Sequence, residues 1–362
     1  MRRRLSGKRK TLIAVICTIA GLIAAFWAIT AFVYDAFIDQ RFESDPAKWL
    51  YVEDFDGLSR TKYGFASDKG QMLTGYMYSA CEDPCGIIVF AHGFGGGGHN
   101  SYMPVINYLA HNGFLVFAYD ATGNDESGGD GVGGFPQGVI DLDHAITFVE
   151  ESGNFPELPV GLLGHSWGGY SVSNVLAYHP EIKAVIECSG ANSSMDLLES
   201  GGYNVVGPLI YAMRPFAAVH ERIRYGEYSS NTAVDGFESA DARIMVVHSA
   251  DDDTVRIRYG YDKFYEKFSD DPRFTFIRFE DRGHNGIFND PSNTYTKEFN
   301  AEFASWKDTL DYDCDAKENA ERFKADRIEY VRTHLDRERY VYRLDTELAG
   351  EFVKFYKESF AE

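Results

Sequence analysis

A serine, a group of aspartates and a histidine are the residues able to do chemistry together. Ser166 lies in Gly164-His165-Ser166-Trp167-Gly168, with apolar residues 160–163 before it and a helix-compatible stretch at 170–178 after it. Asp251, Asp252 and Asp253 follow the apolar run 243–247, and His284 sits in a glycine-flanked stretch after the run 274–279. A serine hydroxyl is a weak nucleophile at neutral pH. It needs a base to take its proton, and the base needs an acid to orient it. Such a set attacks an acyl carbonyl. A serine at the apex of a strand–turn–helix is held in a strained backbone with its hydroxyl above the sheet. Glycines flank it because side chains there would clash where strand and helix meet.

Short continuous apolar runs at 86–91, 114–119, 160–163, 184–188, 243–247 and 274–279 alternate with helix-length segments near 101–112, 136–152, 167–179 and 256–269. Continuous apolar runs are the pattern of parallel strands buried on both faces. Loops at the carboxyl ends of such strands face one crevice, so Ser166, an aspartate and His284 can converge there. Residues 52–80 alternate weakly about a turn at 67–70 and predict an antiparallel hairpin. The gap at 192–240 exceeds an ordinary crossover and carries Tyr203, Leu209, Ile210, Met213 and Phe216, which suggests a lid-like insertion. A helix is expected near 294–310. The spacing of Leu348, Phe352, Val353, Phe355 and Tyr356 predicts an amphipathic helix packed on the domain, with no part in catalysis.

The order Ser…Asp…His, the Gly-x-Ser-x-Gly turn and the His92-Gly93-Phe94-Gly95 loop after a strand together resemble the α/β-hydrolases over about 63–306, including their serine aminopeptidase, prolyl-oligopeptidase-like and esterase/lipase branches. The resemblance implies an α/β fold with a mostly parallel sheet flanked by helices. It also implies an oxyanion hole made by the backbone N–H groups of Phe94 and Trp167. In the family the acid lies four residues after a strand-end histidine and three before a valine. Counting from His248 and from Val255 selects Asp252, with Asp251 and Asp253 left open. The loop Asp120–Gly128 departs from the family pattern at Asn124-Asp125-Glu126.

A competing pattern is Gly93-Phe94-Gly95-Gly96-Gly97-Gly98, which satisfies Gly-x-Gly-x-x-Gly, with Asp120 in the place of a ribose-binding acid 22 residues on. A nicotinamide oxidoreductase would read this way. That reading leaves Ser166, Asp252 and His284 without a role, and the loop lies behind a hairpin instead of opening the fold. A catalytically silent binding module is the other alternative. No cofactor or metal is expected. The ten histidines are scattered, and the acidic stretch 120–130 lacks calcium-loop spacing.

The net charge is −20 over 362 residues, yet Arg2, Arg3, Arg4, Lys8, Arg9 and Lys10 are all basic; removing those six charges leaves −26 for the rest. So acidic a body repels nucleic acid. Residues 11–33 hold no charge and no proline. As a helix they span ~35 Å, enough for a bilayer core. No small-x-small cleavage site ends the stretch, so it is expected to stay as an anchor. Cations before it and Asp35, Asp39, Glu43 and Asp45 after it place the N-terminus in the cytoplasm and the body outside. Cys81 and Cys85 bracket what looks like a hairpin loop and are expected to form a disulfide in that oxidising compartment. Cys188 is expected as a buried thiol.

The expected organisation is a basic head (1–10), a transmembrane helix (11–33), a stalk (34–50) and an α/β-hydrolase domain (51–362) with the lid-like insertion at 192–240 and a C-terminal helical extension at 311–362. The expected activity is cleavage of an acyl bond in a small-molecule or peptide substrate, an ester first. Serine peptidase, thioesterase and acyltransferase activities are the alternatives.

Overall fold

The computed structural model describes residues 7–361. The basic residues Arg2, Arg3 and Arg4 of the expected head lie outside the described residues. Among those described, eight strands form one sheet in the order β1-β2-β4-β3-β5-β6-β7-β8. They are β1 (Ser59–Ala66), β2 (Met72–Ser79), β3 (Gly86–Ala91), β4 (Phe114–Asp120), β5 (Val160–His165), β6 (Ala184–Cys188), β7 (Arg243–Ser249) and β8 (Phe274–Phe279). β1 and β2 form an antiparallel hairpin, β2 runs antiparallel to β4, and all later pairings are parallel.

The helices are α1 (Gly7–Ile38), α2 (Met103–His111), α3 (Pro136–Glu151), α4 (Trp167–Asn174), α5 (Ser194–Val206), α6 (Leu209–Tyr225), α7 (Ala233–Ser239), α8 (Tyr261–Phe268), α9 (Tyr295–Lys307), α10 (Ala320–His334), α11 (Arg337–Val341) and α12 (Thr346–Phe360). Every residue of β3 and of β5 is buried, because helices cover both faces of the sheet. Side chains alternate between two cores: Val89 and Leu162 belong to one, Phe90 and Leu163 to the other. That is why these strands read as unbroken apolar runs.

The strand order corrects one expectation. β4 lies between β2 and β3, so the 81–85 connection steps over a strand and is no hairpin. Cys81 and Cys85 are free thiols, and Cys85 donates instead to the carbonyl of Gly113 at 3.2 Å.

α1 is long and apolar enough to cross a membrane by length and composition, and its apolar window lies bare of the rest of the chain. Its last turns are not bare. Phe26 meets Phe216 edge-on at 5.0 Å, and Trp27 and Tyr34 both pack on His220 of α6. Asp35 pairs with Arg224 at 2.6 Å and with His220 at 2.8 Å, and the hydroxyl of Tyr34 bonds Glu221.

The expected stalk at 34–50 is also corrected. Residues 34–38 continue α1, and residues after them lie along the body. Phe42 bridges to Asn124, Ser44 gives its N–H and its hydroxyl to Asp125 at 2.6 Å each, and Leu50 donates to Asn100 at 2.9 Å. Here is the reason for Asn124-Asp125-Glu126. Asp125 also accepts the N–H of Gly98 at 2.7 Å, so one carboxylate ties the incoming chain to the glycine loop.

Glu221 is fully buried and carries a pH dependence. Burial pushes its carboxyl up to about 7, although hydrogen bonds from Ser194 and Tyr34 act the other way. A carboxyl raised on folding stabilises the fold fully below its unfolded value of about 4.3, and that contribution is lost as pH rises through 7. Glu221→Gln should remove it. Between pH 5.5 and 8 the Tm of the detergent-solubilised wild type should fall by ~2–5 °C relative to that of the variant; parallel profiles would refute the assignment.

Candidate active site

Ser166 sits between β5 and α4 with φ 59° and ψ −116°, in the left-handed half of backbone space that costs a non-glycine residue ~1–3 kcal/mol. The turn is held by Ser166 N–H donating to Cys188 O at 2.8 Å and by Tyr170 N–H donating to Ser166 O at 2.9 Å. A Cβ on Gly164 would stand 2.2 Å from the carbonyl oxygen of Gly168, and one on Gly168 would stand 2.0 Å from that of Ala91. Both neighbours are backbone and cannot move aside, so both positions require glycine.

His284, in the loop after β8, brings Nε2 to 2.8 Å from Ser166 Oγ and Nδ1 to 2.7 Å from Asp252 Oδ2. With Nδ1–H donating to the carboxylate, Nε2 is left as acceptor for the serine proton. Asp252 Oδ1 accepts the N–H groups of Thr254 and Val255 at 2.9 and 2.8 Å, and His248 Nε2 lies 3.3 Å from Oδ2. Burial alone would raise the Asp252 carboxyl, but the bonds from His248 and His284 hold it well below the usual carboxylate range. It is a fixed anion. Asp251 and Asp253 do other things. Asp251 accepts Gly283 N–H at 2.8 Å and so braces the histidine loop, while Asp253 is exposed.

The two expected oxyanion residues flank Ser166. Trp167 opens α4, its indole N–H donating to Phe135 O at 2.8 Å, and the Phe94 ring packs edge-on against the Trp167 ring at 5.8 Å. His92 staples the loop that carries Phe94. Its Nε2 accepts Ala121 N–H at 3.0 Å and its Nδ1–H donates to Gly93 O at 2.8 Å; burial lowers its pKa, so it stays neutral. Asp120, the acid that a bound ribose would need, is buried and engaged by His99 N–H at 3.1 Å and His99 Nδ1 at 2.7 Å.

Three supports were not legible as functional. His165 donates Nε2–H to the carbonyl of His284 at 3.0 Å and accepts from Tyr102 OH at 2.9 Å, while Tyr102 accepts Gly93 N–H at 3.1 Å. One hydrogen-bonded line thus joins the Gly93–Phe94 loop to His284. Burial, then the neighbouring His284, pushes His165 down to about 3, which keeps it neutral and the line intact. The third support is the C-terminal extension. Asp345 caps α12 through the N–H groups of Glu347 and Leu348 and pairs with Arg282 at 2.6 Å, two residues before His284. The adjacency of His165 to Ser166 was the only sequence signal for any of these.

A cavity of about 430 Å³ opens in front of Ser166 and His284. Phe94, Phe135 and Trp167 line it from the body, Leu198, Ile210 and Met213 from α5 and α6, and Val33, Tyr34 and Phe37 from α1. Among the described residues, no aspartate, glutamate, lysine or arginine lines it.

Residues 82–234 match the family model described as serine aminopeptidase, S33. A monoacylglycerol lipase of Mycolicibacterium smegmatis is 26% identical over 201 residues, a match covering 53% of this chain. The chain spans less than two thirds, 65%, of that relative's length. Among solved structures, an esterase of Pyrococcus furiosus superposes with TM-score 0.53 at 16% identity, covering 74% of this chain and 96% of its own. Carboxyl esterase 2 of the fungus Tuber melanosporum gives TM-score 0.51 at 18% identity over 75% of this chain and 90% of its own. The fold they share with this chain is the α/β-hydrolase fold.

Removing the Tyr102 hydroxyl strands the N–H of Gly93 and Nδ1 of His165, each an unpaired buried group worth ~1–3 kcal/mol. Tyr102→Phe should therefore cut kcat by about tenfold or more on any accepted substrate with KM little changed. A kcat equal to wild type would remove Tyr102 from the machinery.

Proposed function

We propose that this α/β-hydrolase is a serine hydrolase that cleaves carboxylic esters, with Ser166 as nucleophile, His284 as base and then acid, and Asp252 as orienting anion. The observation that carries this reading is the unbroken hydrogen-bonded line from Ser166 Oγ through both nitrogens of His284 to Asp252, at 2.8 and 2.7 Å, on a serine held in a strained turn.

Ser166 Oγ bonds to the acyl carbon as its proton passes to His284 Nε2. Negative charge gathers on the former carbonyl oxygen, against the N–H groups of Phe94 and Trp167; one such donor is worth ~3–4 kcal/mol of barrier. His284 returns the proton to the departing alkoxide, and the alcohol leaves. Water, deprotonated by the same nitrogen, then releases the acid from the serine. The anionic Asp252 stabilises the imidazolium at each crest.

An ester is favoured over an aminoacyl substrate by the cavity wall. A free α-amino group needs an anion to meet it, and no carboxylate lines the cavity among the described residues. The nearby acids are spent: Glu199 on Arg214 at 2.5 Å, Asp196 on Lys263 at 2.8 Å.

The apolar α1 supports a bilayer anchor through residues 11–33, and the charge asymmetry across it supports a cytoplasmic N-terminus with the body outside. Protease added to intact cells should then release the body; full protection would reverse the topology.

A fluorophosphonate probe should label the full chain in detergent, and Ser166→Ala should abolish labelling. Labelling that survives the substitution, or its absence from wild type, sinks the mechanism. In a panel of p-nitrophenyl esters and aminoacyl amides, the esters should turn over at least about 10²-fold faster by kcat/KM, the scale of a missing polar partner.

A further inference from the structure

The cavity has an unusual third wall. Body and insertion supply two sides, and the last turns of the bilayer-spanning helix supply the other: Thr30, Val33, Tyr34, Phe37 and Ile38 all line it. Positions 30, 33, 34 and 37 fall on one helical face by the i, i+3, i+4, i+7 rule. The next positions along α1 toward its N-terminus on that side are Phe26 and Trp27, which meet Phe216 and His220 of α6.

The sequence of contacts fixes direction. Phe26 meets Phe216, Tyr34 meets Glu221, and Asp35 meets Arg224, so α6 and α1 run parallel. The start of α6, and the tip joining it to α5, therefore lie beside the membrane-ward part of α1. That tip is apolar and exposed: Val205 is 59% and Leu209 51% exposed, beside an α1 whose Leu22 is 66% exposed. Val205 also lines the cavity, so the cavity reaches the surface at the tip, level with the bilayer-facing part of α1.

We propose that α1 is a wall of the substrate site, and that the substrate is a lipid ester whose acyl chain lies between α1 and the α5–α6 insertion and is drawn from the bilayer at the tip. The proposal rests on the serine-hydrolase reading. It makes Val33 and Phe37 specificity-determining residues, a role their place in a membrane anchor does not suggest. The neutral lining suits an alkyl chain, since a buried apolar methylene gains ~0.8 kcal/mol and an ionised group finds no partner there.

The test uses the full chain in phosphatidylcholine nanodiscs and an alkyl fluorophosphonate bearing a diazirine near the end of a tetradecyl chain. The phosphorus fixes the probe on Ser166; irradiation then records where the chain lies. Cross-links should fall on the tryptic peptide 11–41, which holds the α1 wall, and be absent in Ser166→Ala. Labelled Ser166 with no cross-link to 11–41 overturns the chain path alone, whereas no labelling at all sinks the hydrolase reading beneath it. As a second measure, Val33→Trp should lower kcat/KM for p-nitrophenyl palmitate at least about tenfold relative to the butyrate, the butyrate serving as the reference within the same variant. An unchanged ratio overturns the wall.

Discussion

The tight crossing of β5 and α4 at Ser166 is the constraint on which the rest depends. A non-glycine residue at φ 59° holds only if its surroundings leave it no alternative. Backbone does this on every side: the carbonyl of Cys188 takes the serine N–H, Gly164 lies against Gly168, and Gly168 lies against the carbonyl of Ala91. β3, β5 and β6 must therefore sit in fixed register before the turn that carries Ser166 can form. The wholly buried strands and the two cores above and below them meet that requirement.

Around that crossing, His284, the proposed base, is braced from three directions. Asp252 holds one ring nitrogen, Asp251 holds the backbone N–H of Gly283, and the Arg282–Asp345 pair ties the loop to the cap of α12. Tyr356 of α12 in turn donates its hydroxyl to Leu162 O at 2.6 Å, two residues before Gly164. A helix far along the chain thus holds both the strand that carries the serine and the loop that carries the histidine. The C-terminal extension is part of the site's scaffold, although it touches no reacting atom.

Much of this was legible in the sequence. The runs 86–91, 114–119 and 184–188 coincide with β3, β4 and β6 to within a residue, because strands covered on both faces are apolar almost throughout, the buried Glu187 of β6 excepted. The choice of Asp252 among three aspartates rested on the family resemblance, which counts the acid from His248 and from Val255, and its carboxylate lies 2.7 Å from His284 Nδ1. What stayed hidden involved partners remote in sequence. The place of β4 between β2 and β3 leaves no trace in either strand's composition, so 81–85 looked like a hairpin. Asn124, Asp125 and Glu126 looked like an irregular loop because what they hold, Phe42, Ser44 and Lys62, lies far away in the chain. An apolar helix reads the same whether its last turns meet lipid or line a cavity.

The clamp between α1 and α6 also decides where this protein can give. A flap over a site ordinarily swings as one body about its two ends. Here α6 is bolted to α1, and the first turns of α5 are pinned through Asp196 and Glu199 to Arg214 and Lys263. Past those pins, α5 contains Gly201 and Gly202 and stops at Gly207 with φ 59°. Each mid-helix glycine weakens a helix by ~1 kcal/mol against alanine. The stretch 201–208 is thereby the least helix-favouring part of the insertion, and the opening is built as a hem and not as a door.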